Sequence, residues 1–384
     1  MSLPVPESDA LAHSEALCSH IAADIRRAGG WISFARYMDL AMYTPGLGYY
    51  SGGAQKFGAA GDFVTAPEIS PMFGRTLANQ VAQIMALSAP RVLEPGAGSG
   101  ALAADLLLQL EETGALPESY AILELSGELR ERQRATLEKR APHLLPRVSW
   151  LDRLPESFRG AVVANEVLDA MPVHLVEWCD EGIFERGVVL EGENFAWSAR
   201  PARGALLEAA GKLPVAAPYL SEINLAGAAW ITEWARILEA GALVLIDYGF
   251  PEREYYHPQR AEGTLMCHYR HHAHPEPFHL PGLTDITAHV DFTSVVASGT
   301  EAGLDLVGYT SQGQFLLNCG LTQTLARHTP PGGTGGVDYL RQAAGVQKLI
   351  SPSEMGELFK VMALGRGIEE PLIGFYAGDR SHTL

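Results

Sequence analysis

"RVLEPGAGSGAL", residues 91–102, decides how the chain is to be read. An apolar run enters three glycines spaced Gly96-x-Gly98-x-Gly100 and leaves into a leucine-rich helical pattern. Glycines between a strand and a helix let a ligand approach the backbone, because no Cβ stands in the way and the first N–H groups of the helix lack partners. The dinucleotide fingerprint G-x-G-x-x-G would place the third glycine one residue later. Glu94, two residues before the first glycine, argues further against a pyrophosphate, since a carboxylate repels phosphate and attracts a cation. The alternative is a tight strand-to-helix connection that holds no ligand.

Working outward, short apolar runs alternate with helical patterns. "RVLEPG" reads as a buried strand, and "ALAADLLLQLEETG" as a helix with Leu102, Leu106 and Leu110 on one stripe and Gly114 as its stop. "YAILELS", "RVSWLD" and "GAVVANEVLDAMP" supply three more strands, with the charged helix "ELRERQRATLEKR" between the first two of these. "GALVLIDYGF" is a fifth strand. Such alternation predicts a doubly wound, mostly parallel α/β sheet that holds ligands at the carboxyl ends of its strands. The intervening stretch 175–230 carries alternating patterns and then a helical one, and reads as an inserted antiparallel and helical subdomain. The expected organisation is an N-terminal helical and loop extension over 1–75 that closes over the ligand, a core over 76–174 and 231–384, and the insertion at 175–230. "HTPPGGTGG", 328–336, reads as a mobile loop before C-terminal helices.

Composition limits the function classes. The chain has 384 residues, 47% of them hydrophobic, and a formal net charge of −17, which disfavours a sequence-independent grip on nucleic acid. Four scattered cysteines, Cys18, Cys179, Cys267 and Cys319, form no C-x-x-C pair and fit a reducing compartment. No apolar run is long enough to span a membrane, and the first fifteen residues lack the layout of a secretory or transit peptide, so the expected location is the cytoplasm. "MCHYRHHAH", 266–274, is rich in metal-binding side chains, but its spacing matches no established finger or ribbon, and no metal is expected. Oligomeric state is open, a homodimer being one possibility.

The strand ends name the ligand contacts. Glu124 closes the second strand, where a carboxylate accepts both hydroxyls of a ribose. Asp152 closes the third, beside Trp150 and Leu151, where it would take the exocyclic amine of an adenine. Asn165 and Glu166 close the fourth. A solvated strand-end residue or a helix cap is the alternative for each alone, yet the succession favours an adenosine ligand. Glu94 and the early third glycine select a sulfonium over a pyrophosphate.

"YMDLAMYTPGLGYYS" (37–51), "GDFVTAPEISPMFG" (61–74), the glycine turn, "NEVLDAMPVH" (165–174) and "DITAHVDFTSV" (285–295) together resemble the MidA-like family of methyltransferases that use S-adenosylmethionine. The resemblance covers nearly the whole chain. It implies a class I methyltransferase-like fold, S-adenosylmethionine as cofactor, and a protein substrate, because the family includes a mitochondrial factor that methylates an arginine of a respiratory complex I subunit. In the mitochondrial members the turn resembles G-P-G-R-G-T, where this chain has the smaller Ala97 and Ser99; this makes their acceptor less transferable than their cofactor. Cofactor contacts are expected from Glu94, Gly96, Gly98, Gly100, Glu124, Asp152 and Asn165, with Asp62 and Phe63 closing over them. An arginine keeps its proton at any working pH, and carboxylates bind its planar fork in two-point fashion, so Glu166 and Asp169, with Glu68, are the expected acceptor contacts. His289 and Asp291 are expected to receive the released proton, the alternative for His289 being a buried structural role. Three other functions remain open from sequence: a nicotinamide-dependent oxidoreductase, a non-catalytic assembly factor that merely binds the cofactor, and a small-molecule methyltransferase. The first would be expected to carry G-x-G-x-x-G without Glu94.

Overall fold

A computed structural model describes residues 3–52, 65–328 and 336–384 of the chain. Asp62, Phe63 and most of the loop at 328–336 lie outside the described residues. The chain forms two compact units, the first from 1–63, 168–230 and 250–291, the second from 64–167, 231–249 and 292–384.

The second unit is a doubly wound α/β sheet. Its strands, in chain order, are β1 (Arg91–Pro95), β2 (Ser119–Leu123), β3 (Val148–Leu151), β4 (Phe158–Asn165), β5 (Leu238–Phe250, all but its last residue in this unit), β6 (Asp305–Ser311) and β7 (Phe359–Arg366). Across the sheet they lie in the order 3-2-1-4-5-7-6. Strands β1 to β5 pair in parallel, while β7 runs antiparallel to both β5 and β6. Four successive residues of β1, Val92 to Pro95, and seven of β7 are buried, the continuous pattern of strands covered on both faces. From sequence, helices are expected after residue 336 and no strand is named beyond the fifth. The C-terminal region also contains β6 and β7, whose apolar runs are too short for periodicity to tell strand from helix.

Three helices frame the ligand end of this sheet. Helix α1 (Pro71–Leu87) starts with Pro71 in its first turn and the Ser70 hydroxyl accepting from Met72 N–H at 3.2 Å. Helix α2 (Ala101–Glu112) follows the glycine turn, buries Leu102, Leu106 and Leu110, and is followed by Gly114 at φ 72°. Helix α3 (Gly127–Arg140), capped by Ser126, buries Leu129, Gln133 and Leu137, four residues apart on one face. Phe73, Leu77, Val81, Leu106, Leu110, Tyr120 and Val163 belong to one core that joins helices to sheet.

The first unit is built around antiparallel sheets. Ile32–Ser33, Gly182–Glu191, His174–Cys179 and Tyr219–Ile223 pair in that order, with Asn194–Pro201 added on Gly182–Glu191. Helices Ser8–Arg27 and Phe34–Tyr43 share a core with this sheet, in which Leu17, Ile21, Phe34, Tyr37 and Met38 meet Leu175 and Val188. A three-stranded sheet of His272–His274, Met266–Tyr269 and Asp285–Thr287 completes it.

Candidate functional site

The strand order sets the order of side chains along the carboxyl rim of the second unit: Asp152 after β3, Glu124 after β2, Glu94 and the glycine turn on β1, then Asn165 and Glu166 at β4. Ladder-like hydrogen bonds run past the strands and hold this rim in line. Gly96 N–H donates to Leu123 carbonyl at 3.0 Å, Glu124 N–H to Leu151 at 3.1 Å, and Glu166 N–H to Ile246 at 2.8 Å.

The turn itself needs its glycines. Gly96, Gly98 and Gly100 have φ of 66°, 51° and 81°, the left-handed region that side chains disfavour. At Gly100 a Cβ would also stand 2.9 Å from the Cα of Gln133, so α3 is seated directly against the turn. Ser99 Oγ accepts from Ala101 N–H at 3.3 Å and donates to the Glu68 carboxylate. Glu68, expected from sequence as an acceptor contact, is thus tied to the glycine turn.

Glu94 is buried and its carboxylate accepts from the Tyr120 hydroxyl at 2.5 Å. Burial pushes its pKa up to about 7, the Tyr120 hydrogen bond acts in the opposite direction, and Glu124 adds to the rise. Glu124 is likewise raised, chiefly by burial. Its Oε1 accepts from Ser126 N–H at 2.9 Å and its Oε2 from the Gln133 side chain at 3.0 Å, which leaves lone pairs on both oxygens for two further donors. Leu125, next in the chain, exposes 79% of its surface, an apolar side chain set beside this carboxylate. Asp152 is exposed.

At β4 the arrangement is tighter. Glu166 has φ of 53°, unusual for a residue with a Cβ, and its Oε1 accepts from Asn165 Nδ2 at 3.0 Å and Ala66 N–H at 3.4 Å. Asn165 Oδ1 is buried with no hydrogen-bond partner among the described residues. An orphaned acceptor, a turn open to close approach and a two-oxygen acceptor with spare lone pairs suit an adenosine-bearing cation.

The remaining expected residues belong to the first unit. Asp169 is buried, and its carbonyl accepts from Ala288 N–H at 3.0 Å. Tyr50 donates to Asp285 at 3.4 Å and stacks on Tyr43; burial raises its hydroxyl well above the usual range, with Asp285 and Asp169 adding to the rise. His289 donates its backbone N–H to Thr264 Oγ1 at 3.1 Å and lies 5.4 Å from the Phe250 ring centre. Asp291 is half-buried on a two-residue strand.

Two network residues had no signal in the sequence. Gln133 joins the turn, β2 and β3, as described below. Glu222, buried on Tyr219–Ile223, accepts from Thr264 and Leu265 N–H at 2.9 Å each, and from the Tyr255 and Thr264 hydroxyls at 3.0 Å. In the histidine-rich stretch, His274 is buried and its pKa lowered, first by burial and then by His279 and His268. No group of three or more His, Cys, Asp or Glu side chains is placed to hold a metal among the described residues, and no helix among them is long and apolar enough to cross a membrane.

Residues 72–310 match a family described as "Putative S-adenosyl-L-methionine-dependent methyltransferase". A protein from Burkholderia thailandensis, crystallised bound to S-adenosyl-homocysteine, is 54% identical over the full length of both chains, with a TM-score of 0.96. The mitochondrial protein arginine methyltransferase NDUFAF7 of Danio rerio is 29% identical over 91% of this chain and 87% of its own length. The Homo sapiens protein of that name is 28% identical over 88% of this chain and 81% of its own.

Proposed function

The chain belongs to the family of S-adenosyl-L-methionine-dependent methyltransferases, and from that premise we propose that its methyl acceptor is an arginine on a protein. The observation that carries this reading is Glu166, a carboxylate held at the β4 end in a left-handed backbone conformation by Asn165 and Ala66. Names of relatives at 28–29% identity support it.

Bound at the rim, S-adenosylmethionine supplies an electrophilic methyl group on a sulfonium. In this proposal Glu124 holds the ribose hydroxyls, the glycine turn lies against the methionine portion, and ionised Glu94 offsets its positive charge. Glu166 binds the guanidinium fork and turns one nitrogen toward the methyl carbon. That nitrogen's electron pair forms the new N–C bond while the C–S bond breaks, its electrons staying on sulfur, and the nitrogen gives up one proton. Positioning supplies most of the rate, since no charge has to be created from neutral reactants. His289 is proposed to take the proton, with Asp291 beside it in the chain, and Asp169 to contribute to acceptor binding.

The test is methyl transfer from labelled S-adenosylmethionine to proteins of a strain lacking this gene, followed by mass spectrometry of the labelled residue. Methyl-arginine that requires Glu166 is the expected result. Label on another side chain, or only on small molecules, overturns the arginine reading and leaves the family intact.

A further inference from the structure

Gln133 is wholly buried on α3, and every hydrogen-bonding position of its amide group but one acceptor lone pair is engaged. Its Oε1 accepts from the Trp150 indole N–H at 2.9 Å. Its Nε2 donates to the Gly98 carbonyl at 3.1 Å and to Glu124 Oε2 at 3.0 Å. The indole is donor only, so it fixes which end of the amide is oxygen and forces the NH2 toward the turn and the carboxylate. One side chain therefore spans the glycine turn after β1, the carboxylate after β2 and the indole on β3. Ser126 N–H holds the other carboxylate oxygen at 2.9 Å.

We propose that Gln133 is a positioning residue for the adenosine half of the cofactor: it holds the Glu124 carboxylate with both oxygens facing the ribose hydroxyls. Without Gln133, Glu124 loses its side-chain donor on Oε2 and keeps backbone donors from Ser126 and Leu125, so its orientation rests on the backbone alone. The proposal rests on the reading of Glu124 as ribose acceptor.

Two variants separate positioning from packing. Gln133→Leu removes the whole network, while Gln133→Glu keeps an oxygen for Trp150 and the side-chain volume but replaces the two donors by a charge facing Glu124. The probes are S-adenosylhomocysteine and its 2′,3′-dideoxy analogue, titrated by calorimetry on the full chain, with thermal unfolding measured alongside. Both variants are expected to bind S-adenosylhomocysteine about ten- to a hundred-fold more weakly, the cost of one lost hydrogen bond to a charged group, and to bind the dideoxy analogue within about two-fold of the parent. Gln133→Glu should regain part of its affinity at low pH, where its carboxyl is neutral and donates again. Parallel weakening of both ligands, or of neither, overturns the proposal. Glu124→Gln separates the two layers. If it keeps full preference for the ribose hydroxyls, the reading of Glu124 falls and the Gln133 proposal with it; if it loses that preference while the Gln133 variants keep theirs, only the Gln133 proposal falls.

Discussion

Glu94 changes its charge near neutrality, because burial holds its carboxyl at about 7 while the unfolded chain releases that proton near 4.3. Its pKa is raised by folding, so the stability linked to its proton is complete below the unfolded value and is lost as the pH climbs from about 4.3 through 7. Glu94→Gln should therefore gain stability relative to the parent across that window, as denaturant titrations at pH 4, 6 and 8 will read. A bound sulfonium reverses the preference by favouring the ionised carboxylate. The ratio of affinities for S-adenosylmethionine over S-adenosylhomocysteine should then rise between pH 6 and 8 in the parent and stay flat in Glu94→Gln. At the acceptor side, Glu166→Gln should cut turnover more than about a hundred-fold, as loss of a charged two-point contact would. Its affinity for S-adenosylhomocysteine should stay within a few fold; a matching loss of that affinity would move Glu166 into the cofactor's own contacts. Legibility at this scale was uneven. The positions of Glu94 before the glycine turn and of Glu124, Asn165 and Glu166 at strand ends are legible in the sequence, while Gln133 looks like any polar residue of a charged helix until the strands it bridges are seen together.

Among elements, the glycine turn and its flanking helix announced themselves because a strand pattern, three glycines and a leucine stripe agree. Strands β6 and β7 did not, since β7 lies between two strands that precede it in the chain and owes its place to tertiary pairing. The amino end of the sheet is closed by glycines of another kind. Gly160 on β4 and Gly241 on β5 have φ of 135° and 123°, and a Cβ on Gly241 would stand 1.9 Å from the Gly160 carbonyl oxygen. Gly241→Ala should thus destabilise the chain by about 3 kcal/mol, checked by chemical denaturation, without altering the residues of the ligand rim. In the first unit, Glu222 pins the stretch at 264–265 to its sheet through two backbone donors and two hydroxyls. Glu222→Ala leaves those donors buried and should cost about 3 kcal/mol, seen as a lower unfolding midpoint. The sequence showed that carboxylate as one more strand residue, because its partners lie 33 to 43 positions away.

For the molecule as a whole, the net charge of −17 favours a basic partner. Methylation of an arginine-rich protein acceptor should slow as ionic strength rises from about 50 to 300 mM, through the association step rather than through kcat. A neutral small-molecule acceptor would show no such slope. The parallel sheet, its ligand end and the cofactor class were legible because they rest on local pattern. The make-up of the first unit was not, since no local signal joins residues 250–291 to the N-terminal helices. That unit draws on three separated stretches, and the chain passes between the units after residues 63, 167, 230, 249 and 291. During synthesis the helix at Ser8–Arg27 therefore lacks its sheet partners until the strands at His174–Cys179 and Gly182–Glu191 have left the ribosome. No truncation from either end removes one unit and spares the other, and the nascent first third of the chain is where a chaperone has most to shield.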